Sequence, residues 1–510
     1  MLLKNILKGI EHSIQTGSQK SDIDITAISD DSREVTPGCI FVALMGHQKD
    51  GRNFVEEAVS KGASVIVSDP GLHVPEGIIK VSVTDVRAAL AEIAKNFYGD
   101  PSAKLKVIGI TGTNGKTTVT YLIEAIVKEA GARAGVIGTI NYRSNGDIKP
   151  ARNTTPGSLE LQKLISDMVG VGVKYAAIEV SSHALDQGRI SGVRLDVGLF
   201  TNITSDHLDY HKTRDEYFKA KSKIFEHLKD DGVIVLNYDD EKVRSLKGSI
   251  TRRTLTYGIG QGSDIRAYNI KLSSNGSSFD VSAPSDKFQV STRLIGMHNV
   301  SNCLGAIAAM YALGVDKKLM AEGIESVTFV PGRLEPVEMG QSFKVLVDYA
   351  HTEDALNNVL AILKEIAGRE VWTIIGCGGD RDKTKRPLMG LAACKFSDRV
   401  IITSDNPRSE EPLDIIRDIE AGVKGKFSNY LIVPDRREAI RKAITSAMEG
   451  DIILIAGKGH EDYQIVKDSV IHFDDREVAA EMLTERMKEE DEGKRDSKGD
   501  RGASLIGKTR

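Results

Sequence analysis

At 510 residues the chain exceeds what one hydrophobic core organises, so roughly three domains are expected. With 40% hydrophobic residues, 27% charged residues and a formal net charge of -4, the composition is that of an ordinary soluble globular protein. It gives no electrostatic case for bulk nucleic-acid or anionic-membrane binding and leaves small charged ligands open. Cys39, Cys303, Cys377 and Cys394 have neither metal nor disulfide spacing, and the opening "MLLKNILKGIEHS" lacks a signal peptide's apolar core. A reducing, cytoplasmic setting without membrane insertion is the expectation.

In chain order, "NFYGDPSAKLK" carries Gly-Asp-Pro punctuation and closes a first domain near Gly99. "KVIGI", Lys106 to Ile110, reads as a strand feeding a glycine loop, and then Val119, Leu122, Ile123, Ile126 and Val127 recur at helical spacing. Further strands are predicted at "YAAIEV", "VGLFTNI", "KVLVDYA", "VWTIIG", "RVIIT" and "DIILIAG". Short β-rich runs alternating with longer helical patterns predict parallel α/β construction, with ligands beyond the carboxyl ends of the strands. A second break falls at "FVPGRLEP", and the charged, aperiodic end predicts a tail without order. The expected limits are residues 1–99, 100–331 and 332–487, with the tail at 488–510.

"GITGTNGKTT" is the sharpest local signal, because strand, glycine loop, lysine and threonines lead straight into a helix. Gly112, Thr113, Asn114 and Gly115 offer backbone N–H groups to a polyphosphate, Lys116 adds a full positive charge, and Thr117, followed by Thr118, can ligate Mg²⁺. The general nucleotide loop has glycine where Ile110 stands, so this is a variant. Late in the chain, "SDNPR" sets Asp405, Asn406 and Pro407 in a turn that displays Arg408.

The variant loop "TGTNGKTT" resembles the ATP loop of the Mur ligases, amide-forming synthetases of peptidoglycan precursor assembly. "DSREVTPGCIFVALMGHQKDG", "EVSSHALDQGRI", "TNITSDHLDYHKTRDEYFKAKSKIF", "GMHNVSNCLGAIAA", "PGRLE", "VDYAHTEDAL", "GCGGDRDKTKRPLMG", "SDNPR" and "AGKGHE" agree, in order, from about Asp31 to about Arg476. Together they are similar to the member adding the third peptide residue. The resemblance implies a central P-loop ATPase-type sheet between an N-terminal uridine-nucleotide-binding α/β domain and a C-terminal Rossmann-like α/β domain. It implies ATP and Mg²⁺ as cofactors, and the acceptor UDP-N-acetylmuramoyl-L-alanyl-D-glutamate with the amine meso-2,6-diaminopimelate as substrates.

Residue by residue, the resemblance makes Glu179 and His207 Mg²⁺ ligands beside Thr117, and Lys221 the lysine that the family carbamylates to an N6-carboxylysine. Read alone, Lys219, Lys221 and Lys223 form the basic face of an amphipathic helix. The acceptor falls to Thr154, Thr155, Ser181, Gln187 and Arg189, with Ser32, Arg33 and His47 in the uridine-type module. ATP's base and ribose fall to Asn299, Asn302, Arg333, Asp348 and His351, although an asparagine such as Asn302 also serves as a helix cap. Diaminopimelate falls to Arg381, Asp405, Asn406, Pro407, Arg408, Gly457 and Glu461. A monomer is the expectation. Competing readings are a lysine-adding or folylpolyglutamate-type relative, against which "DNPR" and the first domain argue, and a P-loop switch, for which the chain lacks a guanine-reading "NKxD".

Overall fold

A computed structural model describes residues 1–15, 23–46, 49–204, 206, 208–248 and 250–503. The chain forms two compact units, one of Met1–Tyr268, Asp280–Val290 and Ser301–Ser326, the other of Asn269–Phe279, Ser291–Val300 and Val327–Arg510.

The first unit opens with a five-stranded sheet in the order Ser13–Gln15, Ile79–Ser82, Ala63–Ser68, Cys39–Val42, Ala27–Ser29. Ser13–Gln15 is antiparallel and the rest are parallel. Cys39–Val42 and Ile79–Ser82 are buried throughout, as expected of parallel strands covered on both faces. The helix Val86–Phe97 starts where Asp85 accepts hydrogen bonds from the N–H groups of Arg87 and Ala88, and it buries Ala89, Leu90, Ile93 and Ala94.

The same unit's second sheet is built around Lys106–Thr111, which pairs in parallel with Tyr175–Glu179 on one side and Leu195–Phe200 on the other. Ala134–Ile137 flanks the former, while Leu228–Asn237 and then Thr254–Gly258 follow the latter, all in parallel. Val107, Ile108 and Ile110 are fully buried, which is why "KVIGI" is a continuous apolar run. The helix Lys116–Glu129 buries Val119, Leu122, Ile123, Ile126 and Val127, the five positions that the spacing singles out. Register sets Glu179 beside Ile110, so the carboxylate emerges at the sheet edge from which the glycine loop leaves.

The second unit carries a six-stranded sheet in the order Glu335–Pro336, Lys344–Asp348, Ile452–Ala456, Val371–Ile375, Arg399–Ile402, Tyr430–Ile432. Only the first pair is antiparallel. Chain order reverses at Ile452–Ala456, and carboxyl ends at such a reversal are where open α/β sheets bind ligands. Arg436 and Asp475, both fully buried, form a two-pronged ion pair with 2.7 Å contacts that joins the helices Arg436–Ser446 and Asp475–Ala503.

Every strand expected from Lys106 onward is present, within three residues at the ends. Two hairpins go beyond the sequence reading. Asn141–Ser144 and Asp147–Pro150 turn through Asn145 and Gly146, both at positive φ, the geometry that Asn-Gly favours. Tyr463–Val466 pairs with Ser469–His472. The helix that starts at Asp475 runs to Ala503, past 488, where the sequence reading sets the start of the tail. Glu, Lys and Arg are strong helix formers, and extending a nucleated helix is far easier than starting one. Residues 504–510 lie outside the described residues.

Candidate active site

The glycine loop follows strand Lys106–Thr111, and Gly112 has no room for a side chain: a Cβ there would stand 1.9 Å from Thr201 Oγ1 at a φ of +141°. Gly115, the N-cap of helix Lys116–Glu129, has φ +87°, and a Cβ on it would lie 2.3 Å from Asn302 Oδ1. The loop is pinned from outside by Asn202, whose Oδ1 accepts the Asn114 N–H at 2.9 Å, and by Thr201, whose hydroxyl donates to the Asn114 carbonyl at 2.6 Å. The Thr113 hydroxyl accepts the Thr204 N–H at 3.0 Å. Gly115 itself brings no side chain to cap the helix, whose dipole end faces the loop. Thr117 and Thr118 are buried in its first turn.

Lys116 Nζ donates to the carbonyls of Gly112 at 2.9 Å and Thr113 at 2.8 Å. Lys221 Nζ donates to the same Gly112 carbonyl at 2.7 Å. Two amines therefore converge on one peptide oxygen. Lys221 is not on a solvated face: it is 1% exposed, whereas Lys219 is exposed and Lys223 pairs with Asp186 at 3.0 Å. Burial, reinforced by neighbouring Lys116 and opposed by Asp206, pulls the Lys221 amine well below the ordinary lysine range.

Glu179 is buried at the end of its strand. Its Oε2 accepts from the hydroxyls of Thr117 at 3.1 Å and Thr139 at 2.9 Å, and its Oε1 accepts the Thr139 N–H at 3.0 Å. Among the described residues no group of three acidic, histidine or cysteine side chains forms a metal cage. The oxygen pair of Thr117 and Glu179 still fits Mg²⁺, which takes one or two protein oxygens and fills its octahedron with phosphates and water. His207 lies outside the described residues. Thr139 is a residue that the sequence reading missed. Its signal is the Gly138-Thr139 pair after the short strand Ala134–Ile137, where a Cβ on Gly138 would stand 2.3 Å from Glu179 Oε1.

Thr139 also reaches the residues expected to meet the acceptor, its hydroxyl lying 3.1 Å from that of Thr154. Thr155 is fully buried and donates to the Glu179 carbonyl at 2.8 Å while accepting the Ser181 N–H at 3.0 Å. Ser181 caps the helix Ser182–Asp186 by accepting from Ala184 N–H. Arg189 donates from Nε and Nη2 to Gln187 Oε1 at 3.0 and 2.8 Å, and from Nη1 to the Thr155 carbonyl at 3.0 Å. Thr154, Thr155, Ser181, Gln187 and Arg189 thus form one chain of contacts beside Glu179. Ser32 donates to Glu57 at 2.8 Å, Arg33 is paired with Asp31, and His47 lies outside the described residues.

Asn302 does not cap its own helix. It sits inside the helix Met297–Ala312, beside Gly115. Asn299 in the second unit donates to the Ile295 carbonyl at 2.9 Å. There Asp348 ends its strand, accepting from the N–H groups of Leu334 at 2.7 Å and Ala350 at 2.8 Å. Burial raises its carboxyl, against the pull of Arg333. Arg333 lies over the Tyr349 ring, and His351 Nδ1 is 2.8 Å from the Tyr349 carbonyl.

Arg408, Asn406 and Glu461 converge at the carboxyl ends of the second unit's strands. Arg408 holds a left-handed φ of +52°, kept by its N–H on the Ile465 carbonyl at 3.0 Å and its carbonyl on the Lys467 N–H at 2.7 Å. Its Nη1 donates to the Gly379 carbonyl at 2.7 Å. The Asn406 amide bridges Glu461 at 3.0 Å and the Ile465 N–H at 2.9 Å, and Pro407 is buried behind it. Burial, then Asp405, raises the Glu461 carboxyl, with Lys458 opposing at 3.6 Å. Gly457 has φ +113°, and a Cβ there would lie 2.9 Å from Asp405 Oδ2. Arg381 is exposed beside Gly378.

Comparison with known proteins gives the same picture. "Mur ligase family, catalytic domain" matches residues 24–98, "Mur ligase middle domain" residues 110–310, and "Mur ligase, glutamate ligase domain" residues 332–459. The UDP-N-acetylmuramoyl-L-alanyl-D-glutamate--2,6-diaminopimelate ligase of Geobacillus thermodenitrificans (strain NG80-2) is 47% identical over 91% of this chain and 96% of its own. The ligase of the same name from Clostridium tetani (strain Massachusetts / E88) is 46% identical over 95% and 100%. A solved structure of a ligase so named superimposes with TM-score 0.70 at 33% identity, covering 96% of this chain and 99% of that one. The MurF ligase of Thermotoga maritima in complex with ADP shares the fold, with TM-score 0.63 at 21% identity over 92% and 98%. With its three α/β domains and its variant phosphate loop, the chain belongs to the Mur ligase family.

Proposed function

We propose that the chain is an ATP-dependent ligase that joins meso-2,6-diaminopimelate to UDP-N-acetylmuramoyl-L-alanyl-D-glutamate in the assembly of peptidoglycan precursors. The observation that carries the amino-acid assignment is the pairing of opposite signs at one strand edge: Arg408 for a distal carboxylate, and Asn406 with Glu461 for the ammonium beside it. The names borne by the relatives support it.

In this reading the acceptor carboxylate attacks the γ-phosphorus of ATP, the bond to the β-phosphate oxygen breaks, and ADP leaves an acylphosphate. The diaminopimelate amine then attacks the acyl carbon, phosphate departs, and the amine gives up its proton. Lys116 and the N-terminus of helix Lys116–Glu129 hold the polyphosphate. Thr117 and Glu179, with His207, would hold Mg²⁺, which when bound neutralises charge on the phosphates. Thr154, Thr155, Ser181, Gln187 and Arg189 orient the acceptor, with Ser32 at its uridine end. Asn299, Asn302, Arg333, Asp348 and His351 take the nucleoside, and Arg381 and Gly457 complete the amino-acid pocket. We place the domain limits at 1–99, 100–331 and 332–487, and read the protein as a cytoplasmic monomer. Its four cysteines are buried and form no disulfide, and no helix among the described residues is long and apolar enough to cross a membrane.

Phosphate release tests the reading. Turnover that requires both UDP-muramyl dipeptide and diaminopimelate, out of a panel of amino acids, supports a ligase; turnover without acceptor points to a switch-type ATPase. Thr139→Val is expected to free Glu179 and weaken Mg²⁺-dependent nucleotide binding roughly tenfold in a folded protein. Thr139→Ser should stay close to wild type, as calorimetric titration at several Mg²⁺ concentrations will show.

Lys221 carries a further element of the proposal. Its desolvated amine is biased toward the neutral form that attacks CO₂: a nitrogen–carbon bond forms as one C=O π bond of CO₂ opens, the nitrogen gives up one proton, and the neutral amine becomes a carbamate anion able to face a metal. Lys221→Ala is expected to lose activity by about 10²-fold or more. Added formate or acetate should restore part of it, and a folded variant that no short carboxylate rescues would remove the carbamate from the mechanism.

A further inference from the structure

The loops that leave Val371–Ile375 and Arg399–Ile402 are zipped together. Gly379 N–H donates to the Asn406 carbonyl at 2.9 Å, Asp380 N–H to Glu410 Oε1 at 2.7 Å, and the Ser409 hydroxyl to Asp380 Oδ1 at 2.6 Å. The loops touch too closely for side chains at the glycines. A Cβ on Gly379 would stand 1.9 Å from the Pro407 carbonyl oxygen, and one on Gly378 would stand 2.8 Å from Arg408 Nη1. Asp380, like Arg408, holds a left-handed backbone, φ +54°, which a residue with a Cβ keeps only when its surroundings impose it.

Beneath the zipper lies Arg386, in the first turn of helix Lys385–Phe396 and with no exposed surface. Its Nη2 donates to Glu410 Oε1 at 2.8 Å and its Nη1 to Glu410 Oε2 at 2.9 Å. Nη1 also reaches Asp418 at 2.8 Å, and Nη2 the Gly378 carbonyl at 3.3 Å. One buried guanidinium therefore grips both loops: Gly378 of the first directly, and Glu410 of the second, which in turn holds Asp380 of the first. Arg408 lies two residues before Glu410 and rests on Gly379.

We propose that Arg386 and Glu410 are positioning residues for Arg408, fixing its guanidinium where it selects an amino acid with a second carboxylate. The inference rests on the reading of Arg408 given under Proposed function. A clamp of this kind acts on one substrate. Displacing a binding group by a fraction of an ångström weakens the ligand that it meets and leaves distant ligands alone.

The test is steady-state kinetics on the full chain with ATP, UDP-muramyl dipeptide and diaminopimelate. Glu410→Gln keeps the side-chain shape and removes the charge. It should raise the KM for diaminopimelate about tenfold, hold kcat within about threefold and leave the KM for ATP unchanged. Arg386→Lys keeps the charge but loses the fork, and should do the same. Should either fail to fold, Ser409→Ala at the exposed end of the zipper is expected to raise the diaminopimelate KM by about threefold alone. An unchanged diaminopimelate KM in a folded variant overturns the proposal, and so does a parallel rise in both KM values, which marks general loosening. A wild type that uses another amino acid overturns the diaminopimelate reading instead, and the KM for that amino acid then tests the clamp.

Discussion

Lys116→Ala is expected to yield a folded protein whose ligase turnover falls by about 10²–10³-fold, the loss typical when one charge-stabilising group leaves a phosphoryl- or acyl-transfer site. Folding survives because the carbonyls that Lys116 Nζ meets, of Gly112 and Thr113, belong to a loop that keeps its anchors at Thr201 and Asn202. Chemistry does not survive, because charge spreads over the transferring oxygens as the bond to ADP breaks. Circular dichroism with a phosphate-release assay checks both halves. Near-normal turnover in the variant would remove this loop from phosphoryl transfer.

The second large effect is expected at Arg408. Arg408→Ala should cost about 2–5 kcal/mol in diaminopimelate recognition, the range for truncating one partner of a hydrogen-bonded charge pair, while ATP binding stays near wild type. The wild type should nearly ignore L-lysine, because the arginine would then stay desolvated without its carboxylate. In the variant this preference should collapse through loss of diaminopimelate use. Competition between the two amino acids reads it directly, and efficient L-lysine addition by the wild type would sink the assignment.

Much of this was legible because it is local. "KVIGITGTNGKTT" contains its own strand, its own positive-φ glycines and its own helix start, so residues adjacent in sequence meet in space. Lys221 shows the limit. Its neighbours Lys219 and Lys223 look alike in sequence, and only docking of the helix Arg214–Ser222 decides which ammonium points at Gly112. Thr139 escaped notice because its partners, Glu179 and Thr154, lie 40 and 15 residues away, and a lone hydroxyl carries no pattern of its own. The "DNPR" turn was readable as a corner, but the left-handed Arg408 was not, since the hairpin Tyr463–Val466 and Ser469–His472 that holds it comes far later in the chain. Asn145-Gly146 is the opposite case: its turn signal was local and was passed over for the stronger loops around it.

The order of strands in the second unit sets when that unit can finish folding during synthesis. Ile452–Ala456 is inserted between Lys344–Asp348 and Val371–Ile375, both of which leave the ribosome well before it. Until it arrives, those strands present unpaired apolar edges to whatever else is nearby. Arg436 waits longer still, because the carboxylate that neutralises it belongs to Asp475. A nascent chain halted before Ile452 is therefore a client for chaperones, and a chain cut before Asp475 keeps an uncompensated cation in its interior.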